Sequence, residues 1–254
     1  MSVKLGSTNI SLVNQGSTIS NRGYLGVRVV YGSDMTSELT TSDLFFRFDM
    51  EEPTSYVGSG TVINDMIGGL TLNMSSGSYN PTEKSFLTTG ELQYLNIEAP
   101  YLTRPSGDYT FCVYVRINSK NPYGNPGFWR DGSSSSNFNI FSTVTGRQWL
   151  RLNGTNFDNN AIASVPDGVY NLVTYVVKSG FGTGYVQFYI NDTKIYDVSH
   201  SLTPDLGLIQ RLCYQQEPKQ NVWGDFKSML FYSRSLSETE IANNYFYLKN
   251  SYGH

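Results

Sequence analysis

The sequence predicts an all-β protein in which two antiparallel sheets pack face to face as a sandwich. Charged residues make up 15% of the chain, well below the roughly 25% that is usual for soluble domains. Aromatic residues reach 14%, and 24 glycines are spread along the sequence. Ten short apolar segments follow residue 43, with turn residues between them and no long helical pattern separating them. Many short strands without intervening helices are typical of a two-sheet sandwich.

The composition also excludes several classes of function. The formal net charge is −3, so the chain lacks the positive surface that nucleic acids or anionic membranes require. No apolar run approaches the roughly 18 residues of a membrane-spanning helix. The two histidines are too few for a three-histidine metal site. The two cysteines, Cys112 and Cys213, are far apart in sequence and are interpreted as buried thiols rather than a disulfide. We therefore expect neither nucleic acid nor membrane as a partner.

The first 40 residues form a short repeat. Gly6, Gly16 and Gly26 are ten residues apart, and the units read LGSTNISLVN, QGSTISNRGY and LGVRVVYGSD. Ten residues suit one strand and one glycine turn. Three such units bury little on their own, so we expect residues 1–40 to be an attachment and self-association segment, most simply a trimer. The alternative is a disordered tail rich in Ser, Thr and Gly.

Residues 34–43 are a polar hinge, and a single domain is predicted from residue 41 to residue 254. Its candidate strands are Leu44–Phe48, Leu70–Met74, Leu92–Ile97, Tyr109–Ile117, Phe138–Val144, Gln148–Leu152, Val169–Lys178, Tyr185–Ile190, Lys194–Val198 and Val222–Tyr232. The segment 111–116 alternates Phe, Val and Val with Cys, Tyr and Arg, which indicates a strand with two different faces. Asn191-Asp192 lies between two such runs and predicts a hairpin turn.

One helix is predicted near the end of the chain. Ser237 and Glu240 have the spacing of a capping box, and Ile241, Tyr245 and Leu248 recur at helical spacing. We expect this short helix to pack on the sandwich. Acidic residues in a first helical turn are explained by the helix dipole, so they do not suggest catalysis.

Several segments resemble concanavalin A-like lectin/glucanase domains of the laminin G type. The segment 44–69 supplies an apolar strand ending in Asp49, then Pro-Thr-Ser-Tyr, Gly-Ser-Gly-Thr and an Asp-x-x-Gly turn. GDYTFCVYVRINS is similar to the central strand of the family. GVYNLVTYVVKSG, YVQFYINDTKIYD and WGDFKSMLFYSRSLSETEIANNYFYL are similar to its closing strands. The resemblance covers about residues 43–250 and implies an antiparallel jelly roll, with carbohydrate binding as the expected activity.

The N-terminal repeat resembles Leu-Gly-Ser-Thr repeats in structural proteins of tailed bacteriophages. Together with the sandwich, this implies a virion fibre or surface-decoration protein, made in the host cytoplasm, that attaches to a capsid or tail protein. Two hypotheses follow: a lectin-like domain that binds glycans, or a purely architectural domain that makes capsid or tail contacts.

Catalysis is not expected. A retaining glucanase of this fold needs two carboxylates about 5–5.5 Å apart, which requires acidic residues at alternate positions of one strand. No predicted strand carries such a pattern. Glu51 and Glu52 are adjacent and precede a proline, and neither histidine lies in a nucleophile-elbow sequence.

Recognition is predicted in the long segment 119–137, which we expect to be a loop. It contains Tyr123, Phe128, Trp129 and Asp131 among Gly, Pro and Ser residues. Exposed aromatic rings stack on sugars and carboxylates bind hydroxyls, so these four residues are the candidate ligand contacts. A neighbouring protomer or the open end of the same domain could equally cover them.

No cofactor is predicted. Some laminin G-type domains bind calcium, and Asp158, Asp167 and Asp192 are candidate loop ligands, but the sequence shows no dense cluster of oxygen donors.

Overall fold

The computed structural model describes most of the domain and four short strands before it. The described residues are 2–5, 8–11, 24–25, 28–29, 38–90, 93–119, 127–131, 138–142, 148–152, 155–158, 165–180, 182–202, 207–213 and 223–254. The contacts divide the chain into two compact units, Met1–Ser37 and Glu38–His254.

The first unit contains two antiparallel hairpins. Strand β1 (Ser2–Leu5) pairs with β2 (Thr8–Ser11), and β3 (Tyr24–Leu25) pairs with β4 (Arg28–Val29). Strand β2 lies in the first unit of the ten-residue repeat and β4 in the third, whereas β1 begins before the first unit and β3 begins at the last residue of the second. How residues 1–40 associate is not tested by these hairpins and stays a prediction.

In the second unit, the described strands form two antiparallel sheets. The eight-stranded sheet consists of β5 (Leu44–Asp49), β8 (Ser78–Asn80), β9 (Ser85–Thr88), β12 (Tyr109–Ser119), β17 (Tyr170–Lys178), β18 (Gly184–Ile190), β19 (Thr193–His200) and β21 (Trp223–Tyr232). Its order is β19-β18-β17-β12-β21-β9-β8, and β5 also pairs with β21.

The nine-stranded sheet consists of β6 (Val62–Asn64), β7 (Thr71–Ser75), β10 (Tyr94–Ile97), β11 (Leu102–Arg104), β13 (Gly127–Asp131), β14 (Phe138–Ser142), β15 (Gln148–Leu152), β16 (Thr155–Asp158) and β20 (Gly207–Leu212). Its order is β16-β15-β14-β13-β20-β10-β7-β6, and β11 also pairs with β20. The predicted all-β sandwich of two antiparallel sheets is therefore confirmed. The hairpin turn at Asn191 is also confirmed, because β18 and β19 pair directly across it.

The main core consists of side chains from both sheets. In β12, Phe111, Val113 and Val115 belong to it, as the alternation predicts. Leu95 and Leu212 join it from the nine-stranded sheet. Burying an apolar side chain of this size stabilises the fold by about 1.5–3 kcal/mol, so this shared core holds the two sheets together.

A second core covers the other face of the eight-stranded sheet. Helix α1 (Glu238–Ser251) packs Ile241 and Leu248 against Cys112 and Tyr114, and all four side chains are almost completely buried. The predicted capping box at Ser237 is present. Both faces of β12 are therefore buried, although the alternation alone suggested that one of them meets water.

Helix α1 is also tied to the start of the domain. Asn244 accepts a hydrogen bond from the backbone N–H of Thr40 and donates one to the Tyr232 hydroxyl. That hydroxyl donates in turn to the Thr40 carbonyl. None of the helices in the described residues is long and apolar enough to cross a membrane.

Candidate functional site

Three of the four predicted site residues lie in a strand and not in a loop. Phe128, Trp129 and Asp131 belong to β13, which pairs with β14 and β20. The prediction of a loop over 119–137 is therefore wrong for residues 127–131. The strands on both sides supply backbone partners, and such tertiary pairing overrides the local preference of glycine and proline for turns. Tyr123 lies outside the described residues.

The register places Trp129 opposite Leu212, a residue with no exposed surface, and opposite Ile140 on β14. The next position, Arg130, is opposite Arg211. Whether the four predicted residues contact a ligand is not tested by this placement.

The outer face of the eight-stranded sheet carries an open cleft of about 540 Å³ beside helix α1. We call it the outer-face cleft. It is lined by Glu83, Tyr114, Arg116, Gly168, Val169, Tyr170, Asn171, Asn191, Tyr245, Lys249 and His254. This volume is within the usual range of small-molecule sites, about 300–1,000 Å³.

Aromatic rings form one side of the cleft. The Tyr114 and Tyr170 rings are stacked with centroids 5.6 Å apart, and the His254 ring stacks on Tyr170 at 4.5 Å. The ammonium of Lys227 lies 5.1 Å from the Tyr170 centroid and 4.9 Å from that of Tyr252. Such contacts hold the rings in fixed orientations.

A bulge explains why Lys227 reaches these rings. Tyr114 is opposite Ser228, whereas the next residue of β12 is opposite Phe226, so Lys227 is an extra residue in β21. An extra residue of this kind redirects the side chains beside it. Lys227 is only 3% exposed, and its ammonium bonds to the Glu51 carboxylate at 2.6 Å.

A buried carboxylate supports the polar side of the cleft. Asp225 on β21 has no exposed surface, and it accepts hydrogen bonds from Arg116, Asn118, Ser85 and Asn80. Burial alone would raise the pKa of Asp225, but these hydrogen bonds outweigh burial and lower it. Asp225 therefore stays ionised at neutral pH.

The Arg116 guanidinium is held between two carboxylates. Its Nε and Nη2 donate to Asp225 at 3.2 and 2.9 Å, and its Nη1 donates to Glu83 at 2.9 Å. The centroid of the Tyr170 ring lies 5.1 Å from the guanidinium carbon. Next to Asp225, a Cβ on Gly224 would collide with the Arg116 carbonyl oxygen, so glycine allows the two strands to approach.

Three rings of the cleft, those of Tyr114, Tyr170 and His254, are neutral at pH 7. Burial raises the pKa of the Tyr114 and Tyr170 hydroxyls. Partial burial lowers the pKa of His254, and the positive charge of Lys227 lowers it further. The cleft therefore offers neutral aromatic surfaces beside a fixed ion-pair network, an arrangement that can bind polar ligands with apolar faces.

Among the described residues, no group of three His, Cys, Asp or Glu side chains could hold a metal ion. Of the three candidate calcium ligands, Asp192 accepts a hydrogen bond from the neighbouring Thr193 hydroxyl at the tip of the β18–β19 hairpin.

The family model of the concanavalin A-like lectin/glucanases superfamily, laminin G type, matches residues 89–242. This is more than half of the sequence. The chain belongs to this family. This match establishes the concanavalin A-like jelly roll, which is a lectin/glucanase-like, carbohydrate-binding fold.

Solved structures of other proteins share the concanavalin A-like fold. Trypanosoma rangeli sialidase matches at 12% identity with a TM-score of 0.57 over 83% of this chain and 34% of that chain. The chain thus spans about a third of the length of the sialidase. Domain 4 of AbnA, a GH43 extracellular arabinanase from Geobacillus stearothermophilus in complex with arabinotriose, matches at 12% identity and a TM-score of 0.57 over 80% of this chain and 98% of that chain.

The receptor-binding domain of botulinum neurotoxin type G matches at 13% identity and a TM-score of 0.54, over 80% of this chain and 51% of that chain. At these identities the likeness concerns the fold alone. Among curated proteins, no sequence matches this chain.

Sequence reasoning missed the outer-face cleft of this laminin G-type domain. One signal was available: Arg116 continues the Cys112 and Tyr114 face of a strand that is otherwise apolar. The partners of Arg116, however, come from β21 and from the turn before β9, and its partner Asp225 is bound in turn from β8 and β9. Only the folded sheet brings these segments together.

Proposed function

We propose that this chain is a non-catalytic, carbohydrate-binding protein of a bacteriophage virion, either a fibre or a surface-decoration protein. The sandwich would contact glycans on the host or its surroundings. The observation that carries this proposal is the outer-face cleft, where stacked tyrosine rings lie beside hydrogen-bonding groups on a lectin-like fold.

The chemistry of the cleft fits a sugar. Sugar rings present C–H surfaces that pack on aromatic faces, while their hydroxyls exchange hydrogen bonds with polar side chains. The half-buried rings of Tyr170 and Tyr245 line this opening, and Glu83 and Lys249 lie there with charged groups. The Arg116–Asp225 pair keeps this wall rigid, which lowers the entropy cost of binding.

Binding without catalysis is supported by the state of the carboxylates. A glycosidase needs an acid whose pKa is raised near neutrality and a second carboxylate beside it. Asp225 has a lowered pKa and is engaged by several donors, while Glu83 is paired with Arg116. Both groups therefore suit positioning better than proton transfer.

The segment with Tyr123, Phe128, Trp129 and Asp131 is proposed as a further ligand contact. Its aromatic and acidic composition favours recognition, and β13 provides a backbone for three of these residues. A glycan that depends on this segment would be bound at the nine-stranded sheet and not at the cleft.

The virion assignment is supported by the N-terminal repeat. Residues 1–40 are proposed to form the homo-oligomer, most simply a trimer, and to attach to a capsid or tail protein. The regular glycine spacing and the hairpins β1–β2 and β3–β4 fit a segment that pairs strands between chains. Immunogold labelling of purified phage particles with an antibody to this chain would test the location, and unlabelled particles would contradict it.

A glycan-array screen of the full chain tests the binding function. Tyr170→Ala is expected to weaken binding about tenfold or more, because a stacking surface is lost. Tyr101→Ala is the matched control, since Tyr101 is exposed and lies outside the cleft. Trp129→Ala, read together with its unfolding temperature, tests the β13 segment. No binding by the wild-type chain in a broad multivalent screen would favour the architectural alternative.

A further inference from the structure

A row of arginine and asparagine positions crosses the nine-stranded sheet. Pairing registers connect it from strand to strand, and we call it the arginine–asparagine row. Its members are Asn156, Arg151, Asn139, Arg130, Arg211, Asn96 and Asn73. Each position is directly opposite the next on the neighbouring strand. Since strands are about 4.8 Å apart, the row is about 29 Å long.

The described members of the row face away from the core. Asn73, Asn96 and Arg211 are half-buried, whereas the adjacent positions Leu95 and Leu212 have no exposed surface. Successive side chains of a strand point to opposite faces, so the leucines fill the interior and the polar residues line the outer surface. Asn156 on β16 is exposed.

The chemistry of the row is cationic and rich in amide groups. The Arg211 guanidinium stacks on the Tyr94 ring, 4.8 Å from its centroid, which orients its plane. Arg130 is opposite Arg211, and Arg151 lies two strands farther along the same row. Guanidinium groups bind carboxylates and sulfates through two parallel hydrogen bonds, and amides both donate and accept.

The charge is concentrated on one part of the row. At the β7 end, Asn73 donates a hydrogen bond to Glu98, which places a carboxylate there. The three arginines are on β13, β15 and β20, toward the other end. An extended anionic chain would therefore run along the β20–β15 portion, with the amides beside its neutral groups.

We propose that the arginine–asparagine row binds an acidic polysaccharide, an extended glycan with carboxylate or sulfate groups. This proposal rests on the carbohydrate-binding function proposed above, and it adds the ligand class and a surface distinct from the outer-face cleft. The mixture of arginines and asparagines along the row suits a polymer of charged and neutral hydroxylated units. A nucleic acid is a worse match, because the whole chain has a net charge of −3.

The experiment titrates the full chain with polygalacturonate, dextran sulfate and neutral dextran at low and high salt. Binding to one or both acidic polymers, with weakening as salt rises, is the expected result. Arg211→Gln and Arg130→Gln should each weaken that binding about tenfold, the effect of losing a charged hydrogen bond. Lys84→Gln is the matched control: it removes one positive charge from an exposed residue next to β9 of the other sheet.

Four outcomes would overturn the proposal. Unchanged binding of acidic polymers by both arginine variants, with their unfolding temperatures intact, would exclude the row. Equal affinity for a DNA oligonucleotide would indicate a general anion surface. Binding of neutral glycans alone, lost in Tyr170→Ala, would refute the acidic ligand while the proposed function stands. Failure to bind any glycan on either surface would refute both.

Discussion

Replacing Asp225 with Asn is expected to destabilise the domain by about 3 kcal/mol at pH 7. The Asp225 side chain is 1% exposed and holds Arg116, Asn118, Ser85 and Asn80 together. An asparagine keeps one oxygen for two of these donors but turns an NH₂ group toward the others. Removing one partner of a buried ion pair typically costs about 3–5 kcal/mol. The lower value applies here, because Arg116 keeps Glu83 and is partly solvated.

The loss of stability in Asp225→Asn should depend on pH in a definite direction. The folded pKa of Asp225 lies below that of an unfolded aspartate, about 3.9. Its ionised form therefore stabilises the native state above pH 4, and this contribution disappears as pH falls through the folded pKa. The difference between wild type and Asp225→Asn should be full at pH 7 and should shrink as the pH falls below 4.

Urea unfolding at several pH values, followed by circular dichroism, measures this difference. Asp197→Asn is the control, since the Asp197 side chain is 46% exposed and pairs with Lys194 at the surface. The control should change stability by less than about 1 kcal/mol. If Asp225→Asn is as stable as Asp197→Asn at pH 7, the assignment of Asp225 as the organiser of this sheet face is wrong.

Four further predictions concern the helix, the thiols and the repeat. Ser237→Ala should cost about 1 kcal/mol in chemical unfolding, because the capping box is lost, and an unchanged midpoint would contradict the cap. The pKa of Glu240 is lowered to about 2, chiefly by its hydrogen bond with Arg234. The stabilising effect of ionised Glu240 should therefore be complete above about pH 4.3 and should fade toward pH 2 in the same assay. Glu240→Gln should abolish this pH dependence. Burial raises the pKa of Cys112 to about 12 and that of Cys213 well above its ordinary value. Neither thiol should therefore react with a disulfide reagent until urea unfolds the chain. Rapid reaction of the folded protein in buffer would refute this prediction. Removal of residues 1–40 should convert an oligomer into a monomer in sedimentation velocity, and equal sedimentation states for the two proteins would exclude self-association through the repeat.

Strand positions that alternate strongly were predictable. The segment 109–119 forms β12 with Phe111, Val113 and Val115 in the core, because a period of two is a local property of the chain. The helix after Ser237 could be predicted equally well, because its cap and its apolar spacing lie within a few residues of each other.

Strand β13 shows where local reasoning fails. Its surroundings are rich in Gly, Pro and Ser, which favour loops, yet β14 and β20 pair with it on both sides. The energy of that pairing comes from strands that are distant in sequence. No local pattern contains this information.

The sequence by itself determined the all-β class, most of the strands, the capped helix and the family resemblance. These depend on side-chain periodicity and on motifs within short segments. The tertiary structure alone decided the register, and the register produced both the Asp225 network and the arginine–asparagine row. A shift of one residue in a strand would turn Arg211 toward the core and Leu212 toward solvent. Such a shift would bury charged groups and expose apolar surface, and both changes cost free energy. This cost exists only when the strands are assembled into the sandwich, so it cannot be judged from one segment.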